Sequence, residues 1–247
     1  MRKTEHHLFY SQEITDDTVI LDQTETRHAV SVLRLKEGQK LQVTDGRGNI
    51  YECRYDRSDN RKALCSIRER HSVPGTSPEV TLLVGLPDKD AFETVLEHAT
   101  ALGVYRIVPL EMEHCRKPWW KRWEKFQERF FQKMIVSMKQ CLYPYLPLLE
   151  NPQTLEAVVR SSCEQIVAAD QDGEVLERDV ISEERIAGLV GPPGGYSDKE
   201  REVLEDREVR RVRISHHRLR TELAATVLGG VLTFSPHPGS RNSTPTT

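Results

Sequence analysis

What this 247-residue sequence lacks narrows its class before any motif is considered. Its five cysteines, Cys53, Cys65, Cys115, Cys141 and Cys163, are odd in number, widely scattered and without a Cys-x-x-Cys pair. That argues against a disulfide framework and a zinc site and fits a reducing compartment, so a cytoplasmic location is expected. No apolar run approaches the roughly 20 residues of a membrane span, and the N-terminus MRKTEHHLFY has no apolar stretch of the kind a signal peptide needs. No Gly-x-Gly-x-x-Gly follows a strand pattern, no Walker loop is present, and no Asp/His cluster has metal spacing. Neither a Rossmann-type nucleotide site nor a metal centre is therefore expected. Positive charge is not in excess either. Lys and Arg number 35 against 38 Asp and Glu, a net charge of −3, so any nucleic-acid surface has to be a local patch.

What is present suffices for a core. At 37% hydrophobic and 30% charged, the chain suits one large or two modest domains. Residues 1–72 are β-rich, with short alternating runs at 8–10, 19–21, 41–44, 50–55 and 63–67, and one helical segment over 26–35. Asp45-Gly46-Arg47-Gly48 is a hairpin turn signal. A small barrel is the natural way for so many short strands to hide their edges. Ser72-Val73-Pro74-Gly75-Thr76-Ser77-Pro78 reads as a linker, and after it the period changes. Residues 80–86 predict a buried strand and 90–102 a helix with Phe92, Val95, Leu96 and Ala99 on one face, closed by Gly103. A second strand follows over 104–110.

Residues 114–133, HCRKPWWKRWEKFQERFFQK, hold all three tryptophans and seven Lys or Arg. Pro118 suits the first turn of a helix. Trp123, Phe126, Phe130, Met134 and Met138 recur every three or four residues, which is a core-facing stripe. At the start, Arg116, Lys117, Lys121 and Arg122 lie beside Trp119 and Trp120, a composition that serves RNA contact as well as it serves a solvated face. Tyr143-Pro144-Tyr145-Leu146-Pro147 then enforces extended chain. Residues 166–169 form a buried strand ending at Asp170, and the tail 235–247 is too polar to order itself.

Two loops organise the rest. Gly191-Pro192-Pro193-Gly194-Gly195 follows the buried run 187–190, and residues 215–222, SHHRLRTE, follow Val212-Arg213-Ile214 and open a helix. Ser197 and Glu200 between them form a capping box. Adjacent strand ends that finish in such loops are where open α/β folds place a ligand. The pair resembles the RsmE family, SPOUT-class enzymes that methylate N3 of a uridine in small-subunit ribosomal RNA with S-adenosylmethionine. The family's pattern is GPEGG, an aromatic or Leu and Ser, then LG…LRTETA. Here it reads Gly191-Pro192-Pro193-Gly194-Gly195-Tyr196-Ser197 and Ile214-Ser215…Leu219-Arg220-Thr221-Glu222-Leu223-Ala224. Weaker matches, His28…Val32-Leu33-Arg34 with Asp45-Gly46…Gly48 among them, extend the resemblance over nearly the whole chain.

The resemblance implies an α/β protein. It would have an N-terminal PUA-like RNA-binding β-barrel (1–72), a SPOUT methyltransferase domain with a C-terminal trefoil knot (79–234), a disordered tail (235–247) and a homodimeric state. It implies cofactor contacts from Leu86, Gly191, Gly194, Gly195, Ile214, Ser215, Arg218, Leu219 and Thr221, and RNA contacts from Arg34, Arg116, Lys117, Lys121 and Arg122. Catalysis would fall to Arg220, with Arg218 as the alternative, stabilising the anion left when uracil N3 loses its proton, and to Glu222, orienting the guanidinium. His216 and His217 are candidate bases or bystanders, and His28 reads as a structural histidine. The helix over 222–234, apolar nearly all round, must be buried by the knot, by a partner copy, or by both. Departures from the family's pattern stand at Pro193, Ser215, Leu223, Ala101 and His114. They leave two readings: a working enzyme, or a catalytically silent RNA-binding protein whose cofactor pocket has decayed.

Overall fold

The computed structural model describes residues 7–59, 61–116, 118–162, 164–176 and 184–234. The chain divides into two compact units, Met1–Gly75 with Ile135–Leu146, and Thr76–Met134 with Pro147–Thr247.

In the first unit, β1 (Leu8–Tyr10), β2 (Glu13–Ile14), β3 (Thr18–Leu21), β4 (Lys40–Thr44), β5 (Asn49–Ser58) and β6 (Ala63–Ser72) form one sheet in the order β1-β4-β5-β6-β3-β2. Only the β1–β4 pair is parallel. All six strands send side chains into one cluster that includes Phe9, Val19, Leu21, Val43, Tyr55 and Ala63, so the sheet is rolled around a common core. Among the described residues β1 and β2 end the path without pairing to each other. Burial pushes the Cys53 and Cys65 thiols in this core up to about 12, which keeps them un-ionised and inert. The segment expected as one helix over 26–35 is a short α1 (Gln23–Arg27) continued by a π-helical turn, His28–Val32. His28 packs against the Phe9 ring at 5.5 Å, and burial, with Lys139 nearby, lowers its pKa.

No local pattern announces that Ile135–Leu146 returns to this unit. The hairpin turn receives it through Gly48 N–H to Pro144 O (2.8 Å) and Leu146 N–H to Gly46 O (2.8 Å), while the Tyr145 hydroxyl donates to Val73 O (2.7 Å). Lys139 also forms an ion pair with the buried Glu25 carboxylate.

In the second unit a parallel sheet runs β10-β8-β7-β12-β11-β13, with β9 also on β8. Its strands are β7 (Glu79–Gly85), β8 (Arg106–Glu111), β9 (Leu148–Leu149), β10 (Gln153–Thr154), β11 (Gln165–Val175), β12 (Arg185–Val190) and β13 (Arg210–Arg213). Its helices are α2 (Lys89–Ala101), the start of α3 (Glu124–Cys141), α4 (Leu155–Ser161), α5 (Asp198–Asp206) and α6 (Thr221–Phe234). The end of α2 is satisfied by Gly103 N–H to Thr100 O and Val104 N–H to Ala99 O, the paired bonds of a Schellman cap. Pro118 precedes a 3₁₀ turn, Trp119–Arg122, and α3 starts only after it. The α2–α3 contact is tied by the buried Glu93 carboxylate, which takes Lys89 at 2.8 Å and Arg129 at 2.7 Å.

Helix α6 lies across β7 and β12. Its inner face, Ala224, Ala225, Leu228 and Leu232, is buried within the protomer, while Leu223, Val231 and Phe234 are 49%, 37% and 79% exposed. The helix is thus two-faced in this chain, not enclosed all round. Leu228 is wholly buried against β12. Leu228→Ala is expected to destabilise the protein by about 2–5 kcal/mol in urea unfolding; a loss well under that range would mean the helix is not seated on β12.

Candidate active site

A cleft of about 820 Å³ opens at the carboxyl ends of β7, β11, β12 and β13, within the range of small-molecule sites. Both loops singled out in the sequence line it, and three hydrogen bonds fix them. Thr221 Oγ1 donates to Gly191 O (3.1 Å), Arg218 Nη2 donates to Pro193 O (2.9 Å), and Gly195 N–H closes the glycine turn on Pro192 O (2.8 Å). Ser197 and Glu200 form the expected capping box at the start of α5. Glu200 does more than cap: its second oxygen accepts Glu113 N–H at 2.9 Å, holding the loop after β8 against the glycine loop.

The glycines do two jobs. Gly195, at φ +77°, has open space where a Cβ would stand, so backbone is exposed to a ligand there. At Gly194 a Cβ would stand 2.5 Å from the Cβ of His114. Gly194 therefore serves the close approach of its own neighbouring loop, which His114 secures through Nδ1–H to Gly195 O (3.0 Å).

Behind the glycine loop lies a group the sequence reading did not single out. Tyr196 is buried, its pKa raised by that burial, and its hydroxyl donates to Ala169 O (3.2 Å) and Leu189 O (3.4 Å). Asp170, at the end of β11's buried run, takes Arg201 at 2.6 Å and Arg211 at 3.5 Å. A charged residue that closes an apolar strand was the available signal.

The structure brings Gly191, Gly194, Gly195, Ile214, Ser215, Arg218, Leu219, Arg220, Thr221, Glu222 and Arg116 to this one cleft. Leu86 does not line it. It is fully buried, donates to Leu110 O (3.0 Å) and underlies Pro87, which does. Among the described residues the Arg220 side chain makes no hydrogen bond or ion pair and neither does Glu222, so the expected Glu222–Arg220 pairing is not formed. His217 is on the cleft and His216 is not.

Lys121 and Arg122 are exposed on the 3₁₀ turn, Arg34 is exposed in the first unit at φ +55°, and Lys117 lies outside the described residues, as does the tail 235–247. Trp119 is not free for stacking. Its ring packs within about 6 Å of Phe92, Trp123, Phe126 and Phe130, and its Nε1–H donates to Pro87 O at 2.9 Å.

The departures from the family pattern leave the cleft open. Pro193 offers a carbonyl to Arg218, Ser215 Oγ accepts His217 N–H (3.1 Å), and Leu223 points outward. Thr221→Val, nearly isosteric, leaves the Gly191 carbonyl without its partner and is expected to cost about 1–3 kcal/mol in thermal unfolding.

Residues 75–233 match the model of a family described as the RNA methyltransferase domain, and residues 21–68 that of an RNA methyltransferase PUA domain. The ribosomal RNA small subunit methyltransferase E of Aquifex aeolicus is 29% identical over 231 residues, spanning 92% of this chain and 98% of the relative. A Legionella pneumophila methyltransferase solved with bound SAM shares the fold at TM-score 0.84 and 24% identity, over 92% of this chain and 97% of that one. So does the Neisseria gonorrhoeae ribosomal RNA small subunit methyltransferase E bound to S-adenosyl methionine, at TM-score 0.81 and 21% identity, over 91% and 95%.

Proposed function

Since the chain belongs to the RNA methyltransferase family, we propose that it methylates N3 of a uridine in small-subunit ribosomal RNA, with S-adenosylmethionine as donor. The observation that carries this is the convergence of both motif loops on one open cleft, with an unpaired arginine on its rim. A decayed pocket would be expected to be filled. This one holds about 820 Å³ with every departure in place, so the silent-protein reading is not favoured.

The residues present fit such a donor. Gly191, Gly194, Gly195, Ile214, Ser215, Arg218, Leu219 and Thr221 supply close backbone, carbonyls and apolar wall, with Leu86 supporting from beneath. When bound, the donor supplies an electrophilic methyl group. The chain supplies position and charge. Arg220, free of acidic partners, stabilises the uracil anion as N3–H is lost. Of Glu222 and His217, both on the cleft, Glu222 is the proposed acceptor of that proton and His217 a bystander.

The functional division follows as 1–72 for RNA recognition, as a PUA-like barrel, and 79–234 for transfer, with Arg34, Arg116, Lys117, Lys121 and Arg122 contacting RNA. The tie from Thr221 to Gly191 and the seat of α6 on β7 and β12 support a SPOUT domain with a C-terminal trefoil knot. No helix among the described residues is long and apolar enough to cross a membrane, and a cytoplasmic homodimer is the proposed state. Its contact is the outer face of α6, where Leu223, Val231 and Phe234 stand exposed.

Arg220→Ala is expected to lower turnover by about a hundred- to a thousandfold with little change in cofactor affinity. His217→Ala should be mild; were it the crippling change, the histidine would be the essential group. Calorimetry should detect adenosylmethionine binding, and mass spectrometry of ribosomal RNA should show one N3-methyluridine lost on gene deletion. An unaltered methylation profile would refute the assignment. Sedimentation should give a dimer that Leu223→Asp with Phe234→Asp converts to a folded monomer.

A further inference from the structure

The charges that line the cleft are unequally committed. Four of the lining residues are acids, Asp88, Asp170, Asp172 and Glu222. Asp170 and Asp172 face Arg201, at 2.6 and 3.8 Å, and Glu222 is the proton acceptor proposed above. The fourth, Asp88, is exposed at the start of α2, and among the described residues its carboxylate makes no hydrogen bond or ion pair. Asp88 is the N-cap of α2, where an aspartate ordinarily accepts an amide of the first turn. Here it leaves that bond unmade. The neighbouring cation is not its partner either, because Lys89 pairs with Asp90 and Glu93, both at 2.8 Å.

The backbone that carries this carboxylate is held at three successive residues. Leu86 N–H donates to Leu110 O (3.0 Å), Trp119 Nε1–H to Pro87 O (2.9 Å) and Phe92 N–H to Asp88 O (2.9 Å). The ring of Pro87 fixes its own φ as well. Trp119, taken up in its aromatic cluster, thus steadies one wall of the cleft from behind. A charge without a partner on a backbone so fixed is pre-organised, and the group that meets it at least cost is a cation with hydrogen to donate.

We propose that Asp88 binds the α-ammonium of the methyl donor's methionine part and so selects that donor among adenosine compounds. The inference rests on the methyltransferase reading of the cleft. The donor contacts named in that reading supply backbone, carbonyls and apolar wall, and none of them is an acid for the amino-acid end. Of the donor's two positive charges, on sulfur and on the α-nitrogen, only the ammonium carries N–H, so only it can make a charge-assisted hydrogen bond to a carboxylate. RNA is a poor partner for Asp88, since its phosphates repel an acid. Adenine nucleotides share the donor's adenosine, and Arg116, Arg218 and Arg220 on the cleft attract phosphate. An acid that meets ammonium and repels phosphate separates the two classes in both directions.

The test is calorimetric titration of the full chain with S-adenosylhomocysteine and with its deaminated analogue, in which hydrogen replaces the α-ammonium. The wild-type chain should bind the analogue about 10- to 100-fold more weakly, the effect of one hydrogen bond to a charged group. Asp88→Asn should lose that same factor for S-adenosylhomocysteine and bind the analogue as the wild type does. Asparagine serves as an N-cap as well as aspartate, so the variant should unfold at the wild-type temperature. Asp90→Asn removes the same charge from the same helix end, off the cleft, and should leave both affinities unchanged. Wild-type affinity for S-adenosylhomocysteine in Asp88→Asn would overturn the assignment and leave the enzyme reading intact. An equal loss for both compounds would overturn it too, since the cleft and not the ammonium contact would have been disturbed. A wild-type chain that bound neither compound would instead bring down the methyltransferase reading of the cleft, and the assignment of Asp88 with it.

Discussion

The contact on which the site depends is between α6 and the middle of β12. Gly188 has no side chain, and a Cβ there would stand 2.7 Å from Leu232 Cδ1 and 3.0 Å from Leu228 Cδ2. Its absence lets the helix lie directly on the strand. Once α6 is seated, its first residue is placed where Thr221 meets the Gly191 carbonyl, and the turn preceding it is placed where Arg218 meets Pro193. Two loops about 25 residues apart in sequence thus become one wall of a cleft through a packing decision made well below it. Small residues at such a point transmit position efficiently because packed interiors yield little.

The wall and the rim of the cleft are built on opposite electrostatic terms. Within the wall, the Asp170 carboxylate is almost fully buried and shared by Arg201 of α5 and Arg211 of β13, so three elements are locked by one charge. Removing one partner of such a buried cluster costs far more than the cluster itself is worth, which makes it rigid. On the rim, Arg220 is exposed and unpaired. A cation already neutralised by an acid has less to give to a developing anion, which is why an open arginine suits the charge-stabilising role proposed for Arg220.

Local patterns in the sequence read well because their causes are local. The capping box at Ser197 and Glu200, the end of α2 at Gly103, and the short alternating strands all follow from bonds made within a few residues. The convergence of the glycine loop and the 214–222 loop was legible because each follows a buried strand. What the sequence hid depends on distant partners. Trp119 beside basic residues looks like a stacking platform, yet its ring is taken up by Phe92 from α2, and nothing near position 119 announces that. The expected Glu222–Arg220 pairing fails because α6 begins at Thr221, and the two side chains leave from different sides of a helix start. Glu200 carries a second duty toward Glu113, 87 residues away, which no local pattern encodes.

The return of Ile135–Leu146 to the first unit has a consequence for how the chain is made. Translation delivers residues in order, at about 5–20 per second. The β-strands of the first unit are complete by Ser72, but the piece that docks on its hairpin turn is finished only about 70 residues later. For some 4–14 s the nascent sheet waits with the Gly46 carbonyl, the Gly48 amide and the pocket for Lys139 unfilled, while β7, α2 and β8 emerge and begin to pair. The first unit of this protein is therefore begun first but completed only after part of the second has been made. A ribosome that stalls before Leu146 releases a sheet that still lacks its last piece.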